Sequence, residues 1–142
     1  MIDDVILNKS ASIRRCLVRI REEYADDSER LGNFTIQESI VLNVLRACES
    51  SIDLAMHLVA ERKLGVPQSS RDAFTMLETA GVITPDYSAA MKRMCGFRNI
   101  AVHNDQEIEM PILLAILRFH LMDFESFLDE LIRHGGYDTV AP

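Results

Sequence analysis

The chain has 142 residues and a mass of 16.1 kDa, enough for one domain around one core and too short for two. Its 48% hydrophobic and 26% charged residues are those of a folded globular chain, which excludes a disordered or fibrous one. The 15 basic and 22 acidic residues sum to −7, which excludes a protein whose whole surface coats nucleic acid but leaves room for a local basic site.

In chain order, Ile2, Ile6, Ile13, Leu17, Ile20 and Tyr24 recur at helical spacing and predict a first helix, whose other faces carry Lys9, Arg14, Arg15, Arg19 and Arg21. The turn-prone stretch from Glu22 to Gly32 ends it, and Thr35 with Glu38 reads as a capping box for a second helix running to about Lys63. That second helix is apolar on several faces, from Ile40 to Val59, so it is expected at the centre of the fold. Gly65-Val66-Pro67 breaks the pattern. Ser69 or Ser70 then caps a short helix carrying Phe74 and Leu77 that stops at Gly81. Thr84-Pro85 opens a fourth helix, and Pro111 starts the last one, with Leu113, Leu117, Phe124, Leu128 and Leu131 on its stripe. The fold class is all-α: an antiparallel helical bundle of four long helices and one short one, over residues 1–136, with residues 137–142 as a tail.

Cys16, Cys48 and Cys95 are odd in number and far apart, with no disulfide framework and no zinc spacing. The acidic start, Met1-Ile2-Asp3-Asp4, is not that of a signal peptide, and the longest apolar run, Pro111 to Leu117, is too short to span a membrane. A cytoplasmic protein with no membrane association is expected. Charge is uneven: residues 62 to 98 hold six basic groups against three acidic ones, and 105 to 138 hold eight acidic against two basic. The approach to Arg98 is therefore locally positive. Together with the cations of the first helix it offers a place for a phosphate-bearing ligand.

The informative constellation is Arg98-Asn99-Ile100-Ala101-Val102-His103. A guanidinium holds a negatively charged phosphorus centre, and an imidazole takes the proton of a ribose 2′-hydroxyl or protonates the leaving oxygen. This chemistry cleaves RNA without a metal. On a helix Arg98 and His103 stand about 140° apart, whereas Asn99 and His103 share a face. Two weaker readings stand beside it. Glu49, Asp53 and His57 line one face of the second helix and read either as metal ligands or, far more often, as a polar seam. His120 reads as a structural histidine on the last helix.

Three segments, taken in order, carry a resemblance: Thr35-Ile36-Gln37-Glu38-Ser39; Leu64-Gly65-Val66-Pro67-Gln68-Ser69-Ser70-Arg71-Asp72-Ala73-Phe74; and Phe97 to His103. Through them the chain resembles the HepT-like toxins of the HEPN superfamily, the toxin half of bacterial MNT–HEPN toxin–antitoxin pairs. That family's active motif is Arg, a polar residue, three more residues, His, any residue and Tyr, so Arg98, Asn99 and His103 match it position by position. The resemblance implies catalytic roles for these three and a homodimer whose paired motif helices line a cleft. It also implies an RNA substrate, no cofactor and no metal. Neutralisation would come from a partner MNT-type nucleotidyltransferase that adds AMP to the Tyr. At the Tyr position this sequence has Asp105, which has no phenolic hydroxyl to modify. The chain is therefore expected to be an attenuated or modification-blocked form. The alternative is a non-catalytic helical binding subunit of a nucleotidyltransferase complex.

Overall fold

The computed structural model describes residues 4–103 and 109–134, and the side chains of residues 101–103 and 134 lie outside that description. Every regular element in it is helical: α1 (Asp4–Tyr24), a 3₁₀ turn (Ser28–Gly32), α2 (Phe34–Glu61), α3 (Ser70–Thr79), α4 (Pro85–His103), α5 (Met110–Ala115) and α6 (Leu121–His134). Between α5 and α6 the chain continues through one π-helical turn, Ile116–His120, so the three pieces form one long last helix. The architecture is the expected four long helices and one short one.

The apolar stripes lie where the periodicity puts them. Ile6, Ile13, Leu17, Ile20 and Tyr24 of α1 are buried, as are Leu113, Leu117, Phe124, Leu128 and Leu131 of the last helix. α2 is the central element, packed against α1, α3 and α4, and α6 closes the other side against α4 and α1. It is buried along most of its length, from Ile40 through Leu54, Leu58 and Val59, because side chains on several of its faces find apolar neighbours.

The helix ends show which polar groups hold the backbone. α2 is capped by Asn33, whose side chain accepts from the Ile36 backbone N–H, and not by Thr35 as the sequence reading had it. Both residue types suit a cap, but the chain enters the helix two residues earlier. α3 is capped by Ser69, whose Oγ accepts from Asp72 N–H. α2 and α3 end in the same way. Leu64 N–H bonds back to Val59 O and Val82 N–H to Leu77 O, around a left-handed residue, which is Gly81 in one case and Lys63 in the other.

Two contacts fix α4, the helix that carries the Arg98 motif. At its start Glu130 of α6, 9% exposed, accepts from both the backbone N–H and the hydroxyl of Thr84, at 2.7 and 3.2 Å. A carboxylate there also faces the positive end of the helix. On its flank the Ser88 hydroxyl donates to Phe74 O of α3, and Phe74 meets Phe127 of α6 edge to face, with ring centroids 5.6 Å apart. Replacing Glu130 by Ala leaves Thr84 unpaired. The expected cost is about 2 kcal/mol, a fall in melting temperature of roughly 5–8 °C. An unchanged melting temperature would show that the carboxylate does not anchor α4.

Candidate active site

The site is built where α4 passes α2. Arg98 lies in the penultimate turn of α4, on the side that faces the middle of α2, and there its guanidinium meets Glu49. Nε donates to Glu49 Oε1 at 2.7 Å and Nη2 to Oε2 at 3.4 Å. Nη1 donates to the neighbouring Asn99 Oδ1 at 3.0 Å. Among the described residues these bonds use three of the five guanidinium N–H groups, leaving one on each Nη along the outer fork. A fork of that shape matches two oxygens of a phosphate.

The Glu49 carboxylate raises the Arg98 pKa further above its ordinary value, with burial opposing it less, so the side chain is a permanent cation. Both partners are accessible, with side chains 30% and 46% exposed, and an ion pair this wet adds at most about 1 kcal/mol of stability. Its consequence is positional. Glu49 and Asn99 together fix the plane of the guanidinium before any ligand arrives.

Glu49 is therefore a residue of the site that the sequence reading placed elsewhere. The signal was a carboxylate between buried Cys48 and Ser50 in the most apolar helix, but its partner is 49 residues away. The set Glu49, Asp53 and His57 does not converge on a common point. Glu49 faces Arg98, Asp53 takes Lys9 at 3.0 Å, and His57 Nε2 lies 3.0 Å from Glu61. Among the described residues no group of three or more His, Cys, Asp or Glu is placed to hold a metal ion. His120 is half-buried and its Nδ1 lies 2.9 Å from Asp123 Oδ2, a local pairing on the last helix.

His103 is the last residue of α4, five residues beyond Arg98. Its side chain, and the whole of Asp105, lie outside the described residues. The cations of α1 are mostly engaged within the chain: Lys9 with Asp53, Arg14 with Asp129, Arg19 with Glu23, and Arg21 with Glu125. Those four charges are offset by their carboxylate partners, while Arg15 is exposed. The cation that does accompany Arg98 is Arg71, on the second residue of α3. Its Nη2 would stand only 2.9 Å from a Cβ placed on Gly96. The glycine thus gives room to a guanidinium crossing from α3.

Behind the two arginines lie the thiols of Cys48 and Cys95, both buried. Burial pushes the Cys48 pKa far up, and that of Cys95 up as well, against the lowering pull of Arg71 and Arg98. In the native state Cys48 keeps its proton while an unfolded thiol loses it above about pH 9. The unfolded state then binds fewer protons, so stability is intact below that pH and declines as pH rises through it, by up to about 1.4 kcal/mol per pH unit for one thiol. A Cys48→Ala variant is expected to show a shallower decline between pH 9 and 10.5 in denaturant titrations. An identical slope would contradict this.

A likeness to known proteins accompanies this geometry. A family model described as "Ribonuclease HepT-like" matches residues 13–131. The chain belongs to the HepT-like ribonuclease family. It is 46% identical over 127 residues to the mRNA nuclease HepT of Shewanella oneidensis, covering 89% of this chain and 96% of that one. Among solved structures it is similar to a tri-AMPylated HEPN toxin of Shewanella oneidensis in complex with its MNT antitoxin. There the TM-score is 0.87 at 45% identity, over 93% of this chain and 99% of that one. A toxin–antitoxin complex with AMP-PNP gives a TM-score of 0.85 at 45% identity, over 92% and 99% of the two chains. The HepT-like fold thus covers nearly all of this chain, Arg98 and Asn99 included.

Proposed function

We propose that this HepT-like chain is the toxin ribonuclease of a toxin–antitoxin pair, cutting RNA without a metal ion and binding a nucleotidyltransferase antitoxin. The observation that carries the reading is the pre-oriented Arg98 guanidinium, held by Glu49 and Asn99 with its outer fork open. In this reading Arg98 neutralises the scissile phosphate as negative charge grows on it, Asn99 keeps the guanidinium plane, and His103 moves the proton. Two copies pair so that their α4 helices line one cleft. A chain of this size has little room for a deep pocket of its own.

The relatives' complexes with an MNT antitoxin support the same kind of partner here. Among the described residues no helix is long and apolar enough to cross a membrane. Three buried free thiols suit a reducing cytoplasm, where the RNA is. Asp105 stands where the family's modified Tyr is expected, so this chain cannot take AMP at that position.

Growth tests the reading. Expression of the chain alone should arrest a bacterial culture, while Arg98→Ala and His103→Ala variants, made at equal soluble levels, should let it grow. Equal growth of all three would overturn the nuclease reading.

A further inference from the structure

Arg71 is an unusual residue for its place. It sits in the first turn of α3, where the helix dipole disfavours a cation, and it is exposed. Among the described residues its guanidinium makes no ion pair and no side-chain hydrogen bond; only its backbone carbonyl is used, by Thr75 Oγ1. Helix stability and ion pairing therefore do not explain it. What it does have is a defined location, over Gly96 and beside Cys95, whose thiol feels both Arg71 and Arg98. Two guanidiniums thus flank the same stretch of α4, and among the described residues Glu49 is the single carboxylate bonded to either. Among the described residues the two guanidiniums and Glu49 leave one net positive charge on this stretch of α4, with Arg71 reaching it at Gly96, about 200° round the helix from Arg98 and on the side of Asn99.

We propose that Arg71 is a second phosphate-binding residue of this site, holding another phosphate of the same RNA against α4, and that Gly96 is the notch in which its guanidinium sits. The inference rests on the ribonuclease reading. α3 carries Arg71 rigidly, because Ser69 caps it and Phe74 ties it to α4 and α6. Phosphates are present at every nucleotide, so this contact adds affinity and register without reading sequence. An Arg suits it better than a Lys, since a planar fork takes two phosphate oxygens at once.

The test compares cleavage of one single-stranded RNA by the purified chain and its Arg71→Ala, Gly96→Ala and Arg98→Ala variants, over a range of salt. Arg71→Ala is expected to raise KM about tenfold and leave kcat within about twofold. The dependence of log KM on log salt should become shallower by about 0.7, the share of one phosphate contact on a single strand. Gly96→Ala is expected to raise KM in the same direction but less, because its Cβ displaces the guanidinium without removing it. It should also raise the melting temperature, since Ala is favoured over Gly in a helix. That pairing of higher stability with weaker binding is one a merely structural role for Gly96 would not produce. If the parent chain cuts RNA, Arg98→Ala cuts it about 10²–10³-fold more slowly, and Arg71→Ala retains both the KM and the salt slope, Arg71 has no such role while the ribonuclease reading stands. If the parent chain does not cut RNA at all, both fall together.

Discussion

Arg98→Ala is expected to slow RNA cleavage by about 10²–10³-fold in kcat, with a small change in KM. The figure follows from removing one pre-oriented charged donor from a phosphorus centre, worth about 3–4 kcal/mol of transition-state stabilisation. The loss is expected on kcat because, in the proposed role, the outer fork of the guanidinium would meet oxygens whose charge rises as the reaction proceeds. Arg98→Lys should recover little. A lysine keeps the charge, but it cannot bond Glu49 on one edge and a phosphate on the other. Folding is not expected to suffer, because the Arg98–Glu49 pair is half-exposed and adds little stability. Wild-type kcat in a folded Arg98→Ala variant would remove Arg98 from the chemistry.

The second large effect is all or none. Asp105→Tyr is expected to turn a chain that its nucleotidyltransferase cannot modify into one that gains AMP from ATP. The phenolic oxygen bonds the α-phosphorus, pyrophosphate leaves and the phenol gives up its proton. The gain should be visible as an added AMP mass and as loss of cleavage. The carboxylate at 105 has a second, smaller consequence. On a helix continued past His103 it would stand about 10.5 Å along the axis from Arg98. Repulsion of a phosphate across that distance is about 0.4 kcal/mol in bulk water and about 1.6 kcal/mol at an effective dielectric of 20. The larger figure slows or weakens the reaction about fifteenfold. The missing hydroxyl is expected to outweigh the added charge, so the expected behaviour is that of a modification-blocked chain rather than a silenced one. An unmodified revertant, or a parent chain modified equally well, would sink the idea.

Much of this molecule was legible because its signals are local. Ser69 fixes a helix end through its side-chain cap, Gly81 and Pro85 through their backbone preferences, and the apolar stripes of α1 and the last helix need only a period to be seen. What stayed hidden involves distance or backbone detail. Glu49 and Arg98 meet across 49 residues, and only the packing of α2 on α4 brings them together. The ion pairs that engage Lys9, Arg14 and Arg21 likewise cross from α1 to α2 and α6, so much of a first helix that reads as basic is already paired. Gly96 carries no mark in the sequence of its neighbour in space, Arg71. The π turn at Ile116–His120 leaves no mark on the apolar stripe, because Leu113, Leu117 and Leu121 stay buried through it. Asn33 and Thr35 are both good caps, and the choice between them depends on where the preceding 3₁₀ turn delivers the chain.

The most direct measurement is an end-group analysis of RNA incubated with the purified chain in excess EDTA, beside the same RNA with 2′-deoxyribose throughout. The account predicts cleavage that EDTA leaves intact, products ending in a 2′,3′-cyclic phosphate and a 5′-hydroxyl, and no cutting of the deoxy strand, because the attacking group is the 2′-hydroxyl. Cleavage that needs a divalent metal, or a chain that binds its nucleotidyltransferase tightly and never cuts RNA, would contradict it.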